Sequence, residues 1–156
     1  MPDESNVNSA IEYFIQICDV MDVPLRARLS LVAQIMQEPC FDQLRTKEQL
    51  GYLVFSGVRK HVGCMGLRFI IQSEKDTIYL ENRIEAFLDY LKELIEKLTD
   101  EEYQAHVNSL IADKMEKDKN MGQEGIRYWS EIQFGYFDFE QGKTGFFIVI
   151  PGYHDC

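Results

Sequence analysis

The stretch that decides the fold is Tyr52-Leu-Val-Phe-Ser-Gly-Val-Arg-Lys-His-Val-Gly-Cys-Met-Gly-Leu-Arg-Phe-Ile-Ile-Gln-Ser73. Its two ends, 52–57 and 67–73, are rich in β-branched and aromatic residues, and glycines bound the segment 57–63 between them. This pattern predicts two antiparallel strands joined by a loop over 57–63. We therefore expect a β-hairpin at the centre of the chain.

A strand and a helix are predicted before the hairpin. The segment 11–17 alternates, which predicts a strand with four apolar side chains on one face, namely Ile11, Tyr13, Ile15 and Ile17. Asp22-Val-Pro24 then predicts a helix start, because proline suits the first turn. We expect Pro39 to interrupt this helix, and a short turn over 40–50 to end at Gly51.

Three helices are predicted after the hairpin. The segment 78–98 has apolar residues three and four apart, and Thr99-Asp-Glu-Glu102 has the sequence of a capping box that opens the next helix. A polar break at 117–122 precedes a last helix, which carries Ile126, Trp129 and Ile132. The order of these elements predicts an α+β fold, an antiparallel-rich sheet packed on one face by helices, in a single domain over 1–156.

The composition favours a globular protein. Hydrophobic residues make up 46% of the chain, the formal charge is −10, and no run of about 18 apolar residues occurs. We therefore expect neither nucleic-acid binding nor a membrane span. The segment 45–75 is the exception to the negative charge, with six Lys or Arg and two Asp or Glu. It is either a solvated sheet edge or a surface that attracts carboxylates or peptide carbonyls.

The cysteines and the first residues bear on location. Cys18, Cys40, Cys64 and Cys156 show no CxxC spacing, and the start of the chain has no basic and apolar secretory pattern. We therefore expect free thiols and a cytoplasmic location.

No complete catalytic motif is present in the sequence. His61, His106 and His154 are too far apart for the HExxH or HxxEH zinc motifs, which place two imidazoles on one helix face. GxSxG, Walker and GxGxxG motifs are also absent. The sequence therefore predicts no metal site and no complete catalytic site in this chain.

Arg45 and Tyr52 are the remaining candidates for chemistry, because they flank a corner between a helix and a strand. Two donors at one sheet edge could bind a peptide carbonyl or stabilise the oxyanion formed when it is attacked. Alternatively, Arg45 pairs with a nearby acid and Tyr52 packs on the sheet. The residues alone leave both interpretations open.

Several segments resemble the last domain of the insulysin–pitrilysin family of zinc metallopeptidases. They are Glu38–Phe41, Leu44–Tyr52, Val54–Gly57, Gly66–Glu74, Tyr79–Glu81, Arg83, Glu85–Leu88 and Tyr128–Trp129. The resemblance covers roughly residues 10–140, which leaves the tail 141–156 unmatched. It implies part of the C-terminal domain of an HxxEH-type enzyme, built from homologous α+β domains in two halves around a peptide chamber.

The resemblance also implies roles for the two candidates. An Arg and a Tyr of the last domain contribute to substrate binding and catalysis in this family, and they match Arg45 and Tyr52. Peptides would be the substrates. Zinc would lie in the complete enzyme, held by the N-terminal half, which would be a partner of this segment. The present chain lacks HxxEH and should not hydrolyse peptides alone.

The same comparison predicts departures from the family pattern. The chain matches only the later part of one domain, so the first strands of the sheet are expected to be missing. The exposed edge would then favour pairing with another domain or a homo-oligomer. A second hypothesis is a non-catalytic protein-binding module or partner subunit of the same superfamily, which would use the sheet edge or the acidic helices.

Overall fold

A computed structural model describes residues 7–135, 137 and 139, and it confirms the α+β fold. In chain order the elements are β1 (Ser9–Asp19), α1 (Val23–Cys40), a π-helical segment (Phe41–Lys47), β2 (Leu53–Lys60), β3 (Cys64–Ser73), α2 (Thr77–Glu96), α3 (Asp100–Met115) and α4 (Met121–Gln133). The predicted order of a strand, a helix, two strands and three helices is confirmed. The unmatched tail, 141–156, lies outside the described residues.

The sheet is built around β3. Within the described residues its strand order is β1-β3-β2, and β3 pairs antiparallel with both neighbours. The predicted hairpin of β2 and β3 is confirmed, but the predicted loop over 57–63 is wrong. Val58 and Lys60 continue the alternation of β2 and pair with Leu67 and Met65, so only residues 61–63 form the turn.

A β-bulge corrects the prediction for β1. Ile11, Tyr13 and Ile15 pack against the core as expected, but the register shifts between Gln16 and Cys18. Because an extra residue in one strand reverses the faces beyond it, Ile17 is exposed and Cys18 is buried.

The main core lies between one face of the sheet and helices α1 and α2. The sheet contributes fully buried Phe69 and Ile71, and α2 contributes Ile84 and Phe87. Two faces of α1 are buried, because a second cluster packs α1 against α3, built from Leu31, Ile35, Val107 and Leu110. Helix α1 therefore lies between the sheet and α3. No helix in the described part of the chain is long and apolar enough to cross a membrane.

Pro39 does not interrupt α1, contrary to the prediction. The α-helix continues to Cys40 and leads directly into the π-helical segment. At its end, the Glu48 amide donates to the Gln43 carbonyl at 3.0 Å, a bond across five residues. Proline lacks an amide hydrogen, so it removes one helical bond, and a wider turn next to it is a common local adjustment.

Helix α3 begins as the sequence predicts, whereas α4 begins at Met121, inside the predicted break over 117–122. The Thr99–Glu102 capping box forms, with the Glu102 amide donating to Thr99 Oγ1 and the Glu102 carboxylate accepting from the Thr99 amide. Helix α4 is also confirmed, but three of its apolar side chains are largely exposed, namely Ile126, Trp129 and Ile132. The buried side of α4 is instead polar, because Glu131 is only 3% exposed.

The chain enters the sheet through a close contact between two backbones at Gly51. A Cβ atom at this position would lie 1.8 Å from the Gln72 carbonyl oxygen of β3. No side chain of this neighbour could move aside, because the contact is with backbone. Gly51 therefore does not simply stop a helix, as the sequence suggested. It lets the segment before β2 lie directly on β3.

We expect Gly51→Ala to lower the free energy of unfolding by at least about 2 kcal/mol, because a backbone must shift to admit the methyl group. Urea unfolding followed by circular dichroism measures the change. Gly125→Ala is the matched control: nothing lies within 4 Å of its Cβ position in α4. That substitution should stabilise the protein by about 0.5–1 kcal/mol. Equal effects of the two substitutions would contradict this account of Gly51.

Candidate functional site

Arg45 and Tyr52 lie side by side at the corner between the π-helical segment and β2. Arg45 Nε donates to the Tyr52 carbonyl at 3.2 Å, and the guanidinium carbon lies 5.9 Å from the centre of the Tyr52 ring. The seven-residue separation in sequence is thus closed by a direct contact. Arg45 belongs to the last turn of the helix, and Tyr52 immediately precedes the strand.

The two side chains differ in exposure, because Arg45 is half-buried. Tyr52 is 90% exposed, so it does not pack on the sheet. Among the described residues, no carboxylate forms an ion pair with Arg45, and only its Nε has a hydrogen-bond acceptor. The phenol and the terminal guanidinium nitrogens are therefore two sets of donors held at one exposed corner.

An ion pair attaches this corner to α2. Arg83 donates from Nε to Glu48 Oε2 at 2.6 Å and from Nη2 to Glu48 Oε1 at 2.7 Å. Gln43 Nε2 donates to Glu48 Oε1 at 2.8 Å. Hydrogen bonding from Arg83 is the largest of the effects that lower the pKa of Glu48, and the bond from Gln43 acts in the same direction. Hydrogen bonding to Glu48 in turn raises the pKa of Arg83.

Main-chain contacts complete the attachment. The Leu50 amide donates to the Leu44 carbonyl at 3.1 Å, and the Leu50 carbonyl accepts from Ser73 Oγ at the end of β3. The Leu50 side chain is buried, and Gln49 adopts a left-handed φ of 51° so that the chain can turn between the helix and the strand. The corner is thus held by backbone, by an ion pair and by the core.

A cleft of about 940 Å³ lies beside β2. Its walls are β2 from Phe55 to Lys60 and parts of α1, α3 and α4. Six lining residues are Lys or Arg, namely Arg26, Arg59, Lys60, Arg68, Lys114 and Arg127, whereas four are Asp or Glu. The whole chain has 16 basic and 26 acidic residues, so the cleft has the opposite charge balance.

A buried acid and a half-buried base meet where the cleft borders α4. Glu131 Oε1 lies 3.6 Å from Lys60 Nζ, and the Glu131 side chain is only 4% exposed. Burial lowers the pKa of Lys60, although the nearby Glu131 acts in the opposite direction. This pair explains why the buried side of α4 is polar.

The histidines of the described region do not form a zinc site. Arg59 Nε donates to His61 Nε2 at 3.0 Å, and the His61 ring lies edge-on to Phe14. His106 is on α3, and its backbone carbonyl accepts from Gln34. No group of three His, Cys, Asp or Glu residues within the described residues could hold a metal ion. These residues do not fit a zinc ion.

The sequence indicates the two donors of the corner, Arg45 and Tyr52, but not the residues that hold and surround them. Glu48 and Arg83 are 35 residues apart, and no local pattern marks them as partners. The sequence predicts the positive charge of the cleft only in part, because the basic segment 45–75 supplies three of its six basic residues. The others, Arg26, Lys114 and Arg127, come from three helices outside that segment.

We expect Glu48→Gln to lower the free energy of unfolding by about 1–2 kcal/mol near pH 7, since a charged two-bond contact is lost and Arg83 is partly solvated. The folded-state pKa of Glu48 is lowered, so its contribution is present above its usual value of 4.5. It is lost as the pH falls through the lower folded-state pKa. The difference between the two proteins in urea unfolding should therefore shrink below about pH 4.5.

Glu93→Gln is the matched control for this measurement. Glu93 pairs with Lys97 on the surface of α2, where the side chains are 67% and 76% exposed. Such pairs contribute about 0.3–0.5 kcal/mol. If the two substitutions had the same effect at pH 7, the Glu48–Arg83 pair would not be what holds the corner.

Comparisons with known proteins place this geometry in a family. Residues 31–129 match the family described as PQQ synthase PqqF-like, C-terminal lobe domain 4. The chain is 44% identical over 142 residues to insulin-degrading enzyme of Homo sapiens, which covers 91% of this chain and 14% of that protein. It is 41% identical over 139 residues to the A-factor-processing enzyme of Saccharomyces cerevisiae, and this match covers 89% of this chain and 13% of that protein.

A solved structure agrees with these relatives. The crystal structure of pitrilysin superposes on this chain with a TM-score of 0.71 and 26% identity, covering 88% of this chain and 15% of pitrilysin. The chain thus spans about one seventh of the length of the curated relatives it matches. The matched family covers most of the chain, including both candidate residues. The chain therefore belongs to the insulysin-type peptidase family and corresponds to the C-terminal part of these proteins.

Proposed function

We propose that this chain is the substrate-binding C-terminal segment of an insulysin-type zinc metalloendopeptidase that degrades peptides. Zinc and the general base would be supplied by the N-terminal half, because the described residues do not fit a zinc ion. The chain would bind that half and the peptide. Its described cysteines, Cys18, Cys40 and Cys64, are free thiols, which is consistent with the proposed cytoplasmic location.

The contact between Arg45 and Tyr52 carries this proposal. Tyr52 is 90% exposed on a corner that is otherwise anchored to the core. An exposed aromatic side chain on a rigid support is well suited to a partner, because little conformational entropy is lost when it binds. The Arg45 guanidinium beside it adds donors of fixed geometry.

The chemistry of the pair suits a peptide carbonyl at the point of cleavage. When a nucleophile attacks the carbonyl carbon, negative charge develops on the carbonyl oxygen. A phenol O–H and guanidinium N–H groups can donate to that oxygen and to neighbouring carbonyls. Because the corner is already ordered, the donors need little rearrangement in the transition state. Arg45 and Tyr52 would therefore bind the peptide and help to polarise its scissile carbonyl.

A chimera tests these roles in this chain. The matching segment of the human relative is replaced by this chain, and peptide hydrolysis is measured for the chimera and its variants. Arg45→Ala and Tyr52→Phe are each expected to lower kcat by about 10²–10³, the loss typical of a transition-state donor. Zinc content, measured by atomic emission, should stay the same.

Tyr103→Phe is the matched control, because Tyr103 is also a partly exposed tyrosine but lies on α3. It should leave turnover unchanged. The roles of Arg45 and Tyr52 would be refuted if both variants hydrolysed peptides at the rate of the unmodified chimera. A loss of zinc in either variant would instead indicate a structural effect on the zinc-bearing half.

A further inference from the structure

The outer edge of β2 carries a regular row of main-chain groups, in which Val54 and Val58 are half-buried and Ser56 is 9% exposed. The His61 amide donates to the Cys64 carbonyl at 2.8 Å, so these two residues form a hydrogen-bonded pair at the end of the hairpin. Hydrogen-bonded and non-hydrogen-bonded pairs alternate along antiparallel strands. The backbone N–H and C=O groups of Val54, Ser56 and Val58 therefore point away from β3. In the described part of the chain, no strand lies beyond β2.

The cleft described above borders this row. Its wall includes β2 from Phe55 to Lys60, with α1, α3 and α4 opposite. Its volume of about 940 Å³ is at the upper end of what ligand sites commonly have. The edge of β2 therefore faces a space between elements of the fold.

The row leads to the proposed catalytic corner. Tyr52 is two residues before Val54, so its carbonyl points in the same outward direction as the main-chain groups of Val54. This is the carbonyl that accepts the hydrogen bond from Arg45 Nε. Arg45 thus closes one end of the edge. A strand paired with β2 would end beside the Arg45 guanidinium and the Tyr52 phenol.

We propose that the outer edge of β2 binds an extended acidic peptide as an additional strand, which guides it to Arg45 and Tyr52. This inference deepens the proposed function and rests on it. Main-chain bonds to Val54, Ser56 and Val58 supply affinity for any extended peptide. The side chains of the bound strand alternate between the two sides of β2, as in any sheet.

The net positive charge of the residues that line the cleft favours an acidic peptide over a basic one. Six basic against four acidic side chains line it, in a chain whose formal charge is −10. On the open side of the sheet, Arg59 and Arg68 share one ion-pair partner, Glu12, at 3.7 and 3.6 Å, which leaves one net positive charge among the three. Arg68 also lies over the Phe55 ring. Carboxylates of a bound peptide would meet a basic wall there, and lysines would be repelled.

Amide hydrogen exchange of the 156-residue chain tests the proposal residue by residue. The probe is a capped synthetic peptide of alternating Thr and Glu, as long as the eight-residue β2. At saturating peptide, the amides of Val54, Ser56 and Val58 should exchange about tenfold more slowly, since they gain a hydrogen-bond partner. The amides of Phe55 and Gly57 already bond to β3 and should change little. The same peptide with Lys in place of Glu should bind more weakly.

A proline substitution tests the same bond by a second route. Val58→Pro removes an outward donor and leaves the ladder to β3 intact, because proline is tolerated at such edge positions. Val58→Ala removes similar side-chain packing and keeps the donor. Val58→Pro should weaken peptide binding, measured by fluorescence anisotropy, about fivefold to tenfold relative to Val58→Ala. Circular dichroism and urea unfolding establish that both variants fold.

The outcomes separate the two proposals. Slower exchange at the three outward amides, together with weaker binding by Val58→Pro, supports the edge of β2 as the peptide site. Binding that depends on Arg45 but leaves those amides unchanged overturns the β2 site and leaves the proposed function intact. Absence of peptide binding to the folded chain also overturns the β2 site, whereas the turnover of the chimera still decides the roles of Arg45 and Tyr52.

Discussion

The contact of the Gly51 backbone with the Gln72 carbonyl is the constraint on which the corner depends. A chain that passes from a helix layer to a sheet needs room to turn. Here the turn is made directly on the backbone of β3, where a Cβ atom would lie 1.8 Å from the carbonyl oxygen. Only a residue without a side chain allows it.

The ion pair of Glu48 and Arg83 acts on top of this constraint. A partly exposed pair contributes about 1–2 kcal/mol, whereas a clash with backbone cannot be relieved by rotating a side chain. The close contact at Gly51 therefore determines the path of the chain. The Glu48–Arg83 ion pair then restricts the remaining conformational freedom of the turn. Together they hold Arg45 against the Tyr52 carbonyl without burying either functional end.

The sequence predicts those parts of the fold that local patterns determine. Alternation locates β1, β-branched and aromatic residues locate β2 and β3, helical spacing locates α2, and the Thr99–Glu102 box marks the start of α3, all of which the structure confirms. The errors concern how far an element extends. Pro39 is tolerated because the next turn widens, and β2 extends to Lys60 because Met65 lies opposite it. Neither effect is visible in apolar spacing or in the position of a proline or glycine.

Helix α4 shows the same limit for the candidate site. Its apolar spacing predicts a helix correctly but does not indicate which face is buried, and the structure buries Glu131 near Lys60 while it exposes Trp129. The charge of the cleft could not be predicted for the same reason, since its cations come from segments distant in the chain. Arg45 and Tyr52 were found because their partner atoms are only seven residues apart.

Recognition through a sheet edge and a pair of donors has a chemical consequence for the proposed peptidase segment. Main-chain groups and a carbonyl oxygen are common to all peptides, so neither the edge of β2 nor the Arg45–Tyr52 corner can select one sequence over another. Selection must come from groups that meet side chains. In this chain those groups are the basic residues of the cleft, whose effect is weakened by salt because the cleft opens to solvent. The expected result is broad acceptance of extended peptides, with a preference for acidic ones that declines as ionic strength rises.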